Sequence, residues 1–416
     1  MSTLTARDWL QLFSNRRIGA TLLLGFSSGL PLALVGGTLQ AWFAVSGVDI
    51  VTIGFLGLVG QPYVYKFLWA PFMDRYVPPL LGRRRGWLLV TQGMLSIAIA
   101  AMALFNPAAA PGALGLVAVA VAFLSASQDI AVDAYRADVL QPRERGLGAA
   151  VSIGGYRLAM LVSGGLALIL ADYIGWSSMY LLMAAAVAVG VIGTLLGPEP
   201  ETPAHTPHSL REAVIKPLAE FMTRPAALWL LALIVLYKLG DAFAGTLTMA
   251  FLIRGPGFTP TEIGAVYKTL SLVTTILGAI FGGTLLASLG LYRALLLFGV
   301  LQAVSNLGFM LLAIAGKSMP LMIGVVAFEN FTGGMGAAAF VALLMTLCDH
   351  RYTATQYALL SALSAIGRVY VGPLAGYLVE WLGWERFFLV TFMTALPGLW
   401  LLWILRVNIR GLETKA

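Results

Sequence analysis

The sequence predicts an all-α integral membrane protein of twelve transmembrane helices, arranged as two six-helix repeats. Three observations carry this expectation. Of 416 residues, 59% are hydrophobic and only 11% charged, where a soluble domain has roughly 25% charge; mean hydropathy is +0.87. Apolar stretches recur that are long enough to cross about 30 Å of hydrocarbon, which takes roughly 20 helical residues. Short segments of the first half also return in the second at a nearly constant offset.

Polar or Pro/Gly breaks place the spans at residues 18–45, 51–73, 86–105, 112–137, 147–171, 177–196, 226–253, 261–287, 292–315, 319–347, 353–380 and 385–406. Met1 to Arg17 is polar and lacks an apolar h-region, so the first span is expected to act as the insertion signal. The longest connection opens Pro/Glu/His-rich and divides six spans from six. Expected domains are therefore an N-terminal bundle at 1–196, a cytoplasmic linker at 197–224, and a C-terminal bundle with a short cytoplasmic tail at 225–416. Within the linker, Ser209 and Glu212 have capping-box spacing, and Val214, Leu218, Phe221 and Met222 repeat at helical intervals. That pattern predicts a short amphipathic helix at the membrane surface.

Charge distribution sets the orientation, because cytoplasmic loops retain Lys and Arg. With both termini inside, eighteen bases fall on that side and only Arg254, Lys317 and Arg386 opposite. Five more lie within spans, which accounts for all 26. The net charge of +7 thus reflects topology and not a nucleic-acid footprint. Cys348 stands alone and His205, His208 and His350 are scattered, so neither a disulfide nor a metal site is expected. No phosphate loop or nucleophile elbow occurs, and no cofactor or enzymatic activity is expected.

Internal repetition is specific. Gly37-Thr-Leu-Gln-Ala-Trp-Phe43 answers Gly245-Thr-Leu-Thr-Met-Ala-Phe251 at an offset of 208, and Ile174-Gly-Trp176 answers Leu382-Gly-Trp384 at the same offset. Val121-Ala-Phe123 matches Val326-Ala-Phe328, and Ile53-Gly54 matches Ile263-Gly264, within a few residues of that register. Two parallel repeats of six are the architecture of major facilitator transporters.

Ionised groups inside hydrocarbon cost several kcal/mol unless paired or facing water, so those within the spans are the functional candidates. They are Lys66, Asp129, Asp133, Arg157, Lys238, Asp241, Lys268, Glu329 and Arg368. Ser125, Asp129, Asp133 and Arg136 form one stripe of the fourth span. Asp129 lies roughly 10 Å deeper than Arg136, a depth suited to carrying a proton; Asp133 either shares that role or pairs with Arg136. Lys238 and Asp241 stand at i, i+3 in the seventh span, as a structural pair or as one that substrate or proton opens. Glu329 is a second isolated acid. Arg157 and Arg368, near the centres of counterpart spans, favour a substrate with carboxylates or phosphates. Gln128 and Asn330 suit sugar hydroxyls and amides, and Tyr156 suits stacking on a ring. Glycine-rich faces such as Gly154-Gly155, Gly282-Gly283 and Gly333-Gly-Met-Gly336 suit close helix crossings.

Two sets of motifs carry a resemblance. Asp74-Arg75 followed by Gly82-Arg83-Arg84-Arg85 resembles the major facilitator loop motif Asp-Arg-x-Gly-Arg-Arg with residues inserted. It implies a cytoplasmic gate of Asp74, Arg75, Arg83 and Arg84 that latches the two halves. Phe26–Ala33, Lys66–Arg75, Ser127-Gln-Asp-Ile-Ala-Val-Asp-Ala134, Val235–Phe243, Phe328-Glu-Asn330 and Ser361–Tyr370 resemble the AmpG-type permeases of Gram-negative bacteria.

That resemblance implies proton-driven import of anhydromuropeptides across the bacterial inner membrane during cell-wall recycling, with a link to β-lactamase induction. It would make Asp129, Asp133, Asp241 and Glu329 the proton-coupling acids. Lys66, Gln128, Tyr156, Arg157, Lys238, Lys268, Asn330 and Arg368 would hold substrate in a protein working as a monomer. The Gln-Asp-x-x-x-Asp pattern also resembles acetyl-coenzyme A transporters, so another bulky anion is the alternative. A membrane enzyme acting on lipid-linked sugar is disfavoured because the outer loops are only a few residues long. A multidrug exporter is disfavoured by the excess of deep bases.

Overall fold

A computed structural model describes residues 15–79, 81–141, 144–200, 216–224, 226–348 and 353–413. Among them every regular element is helical. Ten helices are long and apolar enough to cross a membrane: Arg16–Val45, Arg83–Met102, Pro111–Val139, Leu147–Ile174, Trp176–Leu196, Ala227–Arg254, Pro260–Leu289, Leu291–Ala315, Met319–Thr346 and Leu359–Ile404. The last holds the expected eleventh and twelfth spans, because Gly383 (φ 75°) reverses the chain inside it. The second expected span is present but broken, alternating α-helical Ile50–Phe55, Gln61–Tyr65 and Ala70–Arg75 with 3-10 turns at Leu56–Gly60 and Lys66–Leu68. Gly57, Gly60, Pro62 and Pro71 account for the interruptions, since glycine and proline weaken a regular ladder. Together these make the twelve spans of a major facilitator fold.

By Cα proximity the chain divides into two compact units, Met1–Gly47 with Val59–Thr206, and Val48–Leu58 with Pro207–Ala416. The start of the second span thus groups with the second unit, where Gly54 and Gly57 pack on the backbone at Gly372.

Within the first unit, spans 1 and 5 cross at backbone contact. A Cβ on Gly25, Gly29 or Gly155 would collide with the carbonyls of Ser152, Tyr156 and Leu22 respectively. In the second unit spans 8 and 10 cross likewise, Gly278 on Phe331 and Gly334 on Thr275. Lipid offers no hydrophobic drive between helices, so such close packing supplies the cohesion. Gly154 and Gly283, expected to share this role, have open space beside them. The repeat is visible in backbone geometry: Gly82 and Gly290 (φ 79° and 78°) open spans 3 and 9, and Gly175 and Gly383 (φ 80° and 75°) open spans 6 and 12. Large apolar side chains such as Ile97 (72% exposed) and Leu116 (74%) are turned outward, as lipid-facing positions of a bundle are.

Of the predicted linker helix, residues 201–215 lie outside the described ones. The described part, Lys216–Met222, is helical. Its Phe221 is buried in the core of the second unit with Leu230, Phe298 and Leu343. The start of the expected membrane-surface helix lies outside the described residues; this end of the linker therefore packs its Phe221 on protein. Arg224 fastens it by bonding Glu220 and the Leu347 carbonyl, while Gln356 donates to Glu220.

Candidate functional site

In the first unit the polar side chains gather between spans 1, 2 and 4. Asp129 accepts a hydrogen bond from the Ser28 hydroxyl, and among the described residues no cation lies in ion-pair contact with it. Asp133, one turn away, is half exposed and shared between Arg136 (3.0 Å) and Lys66 (3.9 Å). Arg136 also donates to Ser152 on span 5. The stripe read from the sequence thus separates into an acid held only by a hydroxyl and an acid held by two bases.

Gln128, expected to bind substrate, faces protein. It is completely buried, and its amide donates to Ser27 Oγ at 3.1 Å. Facing span 1, it ties two helices together because the next residue, Asp129, takes the neighbouring helix face. Trp69 closes the same region by donating to Ser127 Oγ at 3.0 Å.

In the second unit the helix breaks at Lys238 (φ −98°, ψ −2°), so that Asp241 falls in the first turn of Leu239–Thr246. An acid is favoured there by the partial positive charge of unpaired backbone N–H groups. Lys238 reaches Asp241 Oδ2 at 3.2 Å, and Gln302 on span 9 donates to the same oxygen at 2.6 Å. Gly336 makes this possible: a Cβ there would occupy the Gln302 amide. Glu329 accepts from Asn330 at 2.6 Å and, among the described residues, has no ion pair; Asn330 also bonds Val326 and Thr275. Asn330 is therefore held in place by its own helix and span 8.

Three bases within the spans have no carboxylate partner among the described residues. Arg157 and Arg368 are exposed, and Lys268 lies 5.6 Å from the Tyr267 ring. An exposed guanidinium in lipid would be costly, so both arginines require a watery surface. Tyr156 is half-buried beside Arg157.

The described contacts of the loop motif lie within its own unit. Arg84 is buried and bonds Asp138 of its own unit at 2.7 Å. Glu199 caps the start of span 3 by accepting from the backbone N–H groups of Arg84 and Arg85. Arg85, not among the expected gate residues, donates to the carbonyls of Thr194 and Leu195 at the end of span 6. A helix N-terminus attracts an acid and a C-terminus a base, so the motif staples spans 3, 4 and 6 together. Arg75 is exposed and Arg83 half-buried; the side chain of Asp74 lies outside the described ones.

Two residues outside the expected site hold the acids, Ser28 on Asp129 and Gln302 on Asp241. Ser28 is a small hydroxyl in the first span, and Gln302 shares an otherwise apolar span with Ser305 and Asn306, a polar cluster that is the available signal.

Residues 18–371 match the Major Facilitator Superfamily. The chain is 57% identical over 400 residues to the anhydromuropeptide permease of Escherichia coli K12, covering 96% of this chain and 82% of that protein. It belongs to the AmpG family of major facilitator permeases. Another relative is a putative transporter AmpG 4 of Rickettsia felis, 33% identical and covering 96% of this chain and 99% of its own. Solved structures share the fold at low identity. A bacterial homologue of the lysosomal transporter Spinster superposes with TM-score 0.71 at 14% identity, covering 95% of this chain and 97% of its own. A D-xylose–proton symporter gives 0.68 at 11%, covering 94% and 97%. As an AmpG-family permease, the protein is a multi-pass membrane transporter and not an enzyme.

Proposed function

We propose that this permease imports anhydromuropeptides, N-acetylglucosamine linked to 1,6-anhydro-N-acetylmuramic acid with a peptide stem, from periplasm to cytoplasm together with protons. The observation that carries the anionic substrate is the pair Arg157 and Arg368, exposed on spans 5 and 11 with no carboxylate neutralising them among the described residues. Two guanidinium forks suit stem-peptide carboxylates. Identity to the E. coli permease supports the sugar-peptide class.

In this reading Lys268 and Tyr156 also bind substrate. Asp129 and Glu329, the acids without an ion pair, take up and release protons, whereas Asp133 and Asp241 hold the bases Lys66, Arg136 and Lys238 in position. The two proton sites stand on spans 4 and 10, counterparts in the repeat. Both termini are cytoplasmic, the membrane is the bacterial inner membrane, the working unit is a monomer, and uptake feeds β-lactamase induction.

The deciding experiment is uptake of labelled anhydromuropeptide into proteoliposomes with and without an inward proton gradient. Accumulation only with the gradient is expected. Gradient-independent equilibration would remove proton coupling, and transport of coenzyme A esters in place of muropeptide would replace the substrate.

A further inference from the structure

At the end of the second unit remote from its linker helix lies a cavity of about 560 Å³, lined among others by Arg254, Ala313, Leu382, Trp384, Glu385 and Arg386. Its walls are the last turn of span 7, the end of span 9 and the turn between spans 11 and 12.

Two features separate it from an ordinary gap between loops. The first is charge. The side opposite the termini has just three basic residues, in keeping with the disfavour for Lys and Arg there, yet two of them line this one cavity. The third, Lys317, is paired with Glu262 at 2.9 Å, and Arg254 itself lies near the Asp49 carboxylate.

The second feature is the repeat. Both halves build the same Gly-Trp turn: Trp176 stacks on Trp42 at 5.7 Å, and Trp384 packs on Phe251 at 5.2 Å. At the offset of 208, however, Arg254, Glu385 and Arg386 correspond to Ser46, Ser177 and Ser178. The first half makes the turn without the charges, so the fold does not need them.

Their chemistry is complementary to a definite ligand. Guanidinium groups take a carboxylate in two parallel hydrogen bonds, Glu385 offers acceptors to an ammonium, and the half-buried Trp384 is held rigid by Phe251 and Phe388. We propose that this cavity is an outer capture site for the peptide-stem end of the substrate. Arg254 and Arg386 engage a carboxylate and Glu385 an ammonium of the same zwitterionic residue, before the substrate reaches the deep arginines. The inference rests on the substrate reading given above. A zwitterionic phospholipid headgroup offers the same pairing of anion and ammonium, and the experiment separates the two sources.

Uptake of labelled anhydromuropeptide is measured for the full chain, for Arg254→Gln/Arg386→Gln, and for the charge-retaining Arg254→Lys/Arg386→Lys. The glutamine pair is expected to raise KM about tenfold with kcat changed less than about twofold, because a capture site acts on encounter and not on the conformational cycle. The lysine pair should recover most of the loss, at an unchanged melting temperature. Unchanged KM in the glutamine pair overturns capture. A joint fall in kcat and melting temperature makes the residues structural and also overturns it. Loss of co-purified phosphatidylethanolamine at unchanged KM assigns the cavity to lipid instead. Absence of uptake by the unaltered chain sinks the substrate reading itself, and this inference with it.

Discussion

Gln302 Nε2 lies 2.6 Å from Asp241 Oδ2, the same oxygen that Lys238 approaches at 3.2 Å. One carboxylate oxygen therefore gathers a neutral donor from span 9 and a cation from its own span. Gln302→Leu removes the interhelical donor and leaves the ion pair. A hydrogen bond to a charged group is worth about 1.5–3 kcal/mol, so a comparable loss of stability is expected in a melting assay.

The ion pair itself is tested by a double-mutant cycle. Lys238→Met and Asp241→Asn each strand a partly shielded partner, while the double variant strands neither. Each single change should lower the melting temperature more than the pair of changes does. Additive losses would show that the two groups act independently.

Asp129, held by the Ser28 hydroxyl alone, is expected to be indispensable for proton-driven accumulation. In Asp129→Asn, accumulation under a gradient should fall by at least about tenfold, as for an intramembrane acid with a functional role. Exchange of labelled for unlabelled substrate at equal pH should persist. Full accumulation in this variant would shift the proton role to Glu329.

Close helix crossings make a graded prediction about glycine. Gly278→Ala forces a methyl group into the Phe331 carbonyl, whereas Gly154→Ala meets open space. Overpacking of this kind costs about 1–3 kcal/mol. Thermal melting should register the first substitution and ignore the second.

Asp49 lies outside the spans and caps Ile50–Phe55 by accepting from the Thr52 backbone N–H at 2.7 Å. Slight burial pushes its acidity the other way, but hydrogen bonds from Thr52 and the nearby Arg254 charge hold it below the usual carboxylate range. A carboxylate lowered on folding stabilises the protein fully above its unfolded value, about 3.9, and loses that contribution as pH falls through the lower folded value. Asp49→Ala should therefore cost about 1 kcal/mol near neutral pH. The difference in melting temperature from the parent should shrink as pH drops below about 4.

Much of the site was legible because its signals are local. Charges inside apolar spans announce themselves, and i, i+3 spacing anticipated the contacts Asp133–Arg136 and Lys238–Asp241. What spacing could not supply was the partner on another helix. The partners of Gln128 and Arg84, namely Ser27, Asp138 and Glu199, lie 101, 54 and 115 residues away along the chain.

By itself, then, the sequence determined the membrane class, the twelve spans, the twofold repeat and the inventory of buried charge. Each of these follows from hydropathy and period along one helix, where neighbours in space are neighbours in sequence. Only the tertiary structure decided which charges are satisfied. Asp241 is bonded from span 9 at a separation of 61 residues, while Arg157 and Arg368 remain without a carboxylate partner among the described residues. Helix packing brings such distant groups within hydrogen-bond reach, and no periodicity within a single span encodes that distance.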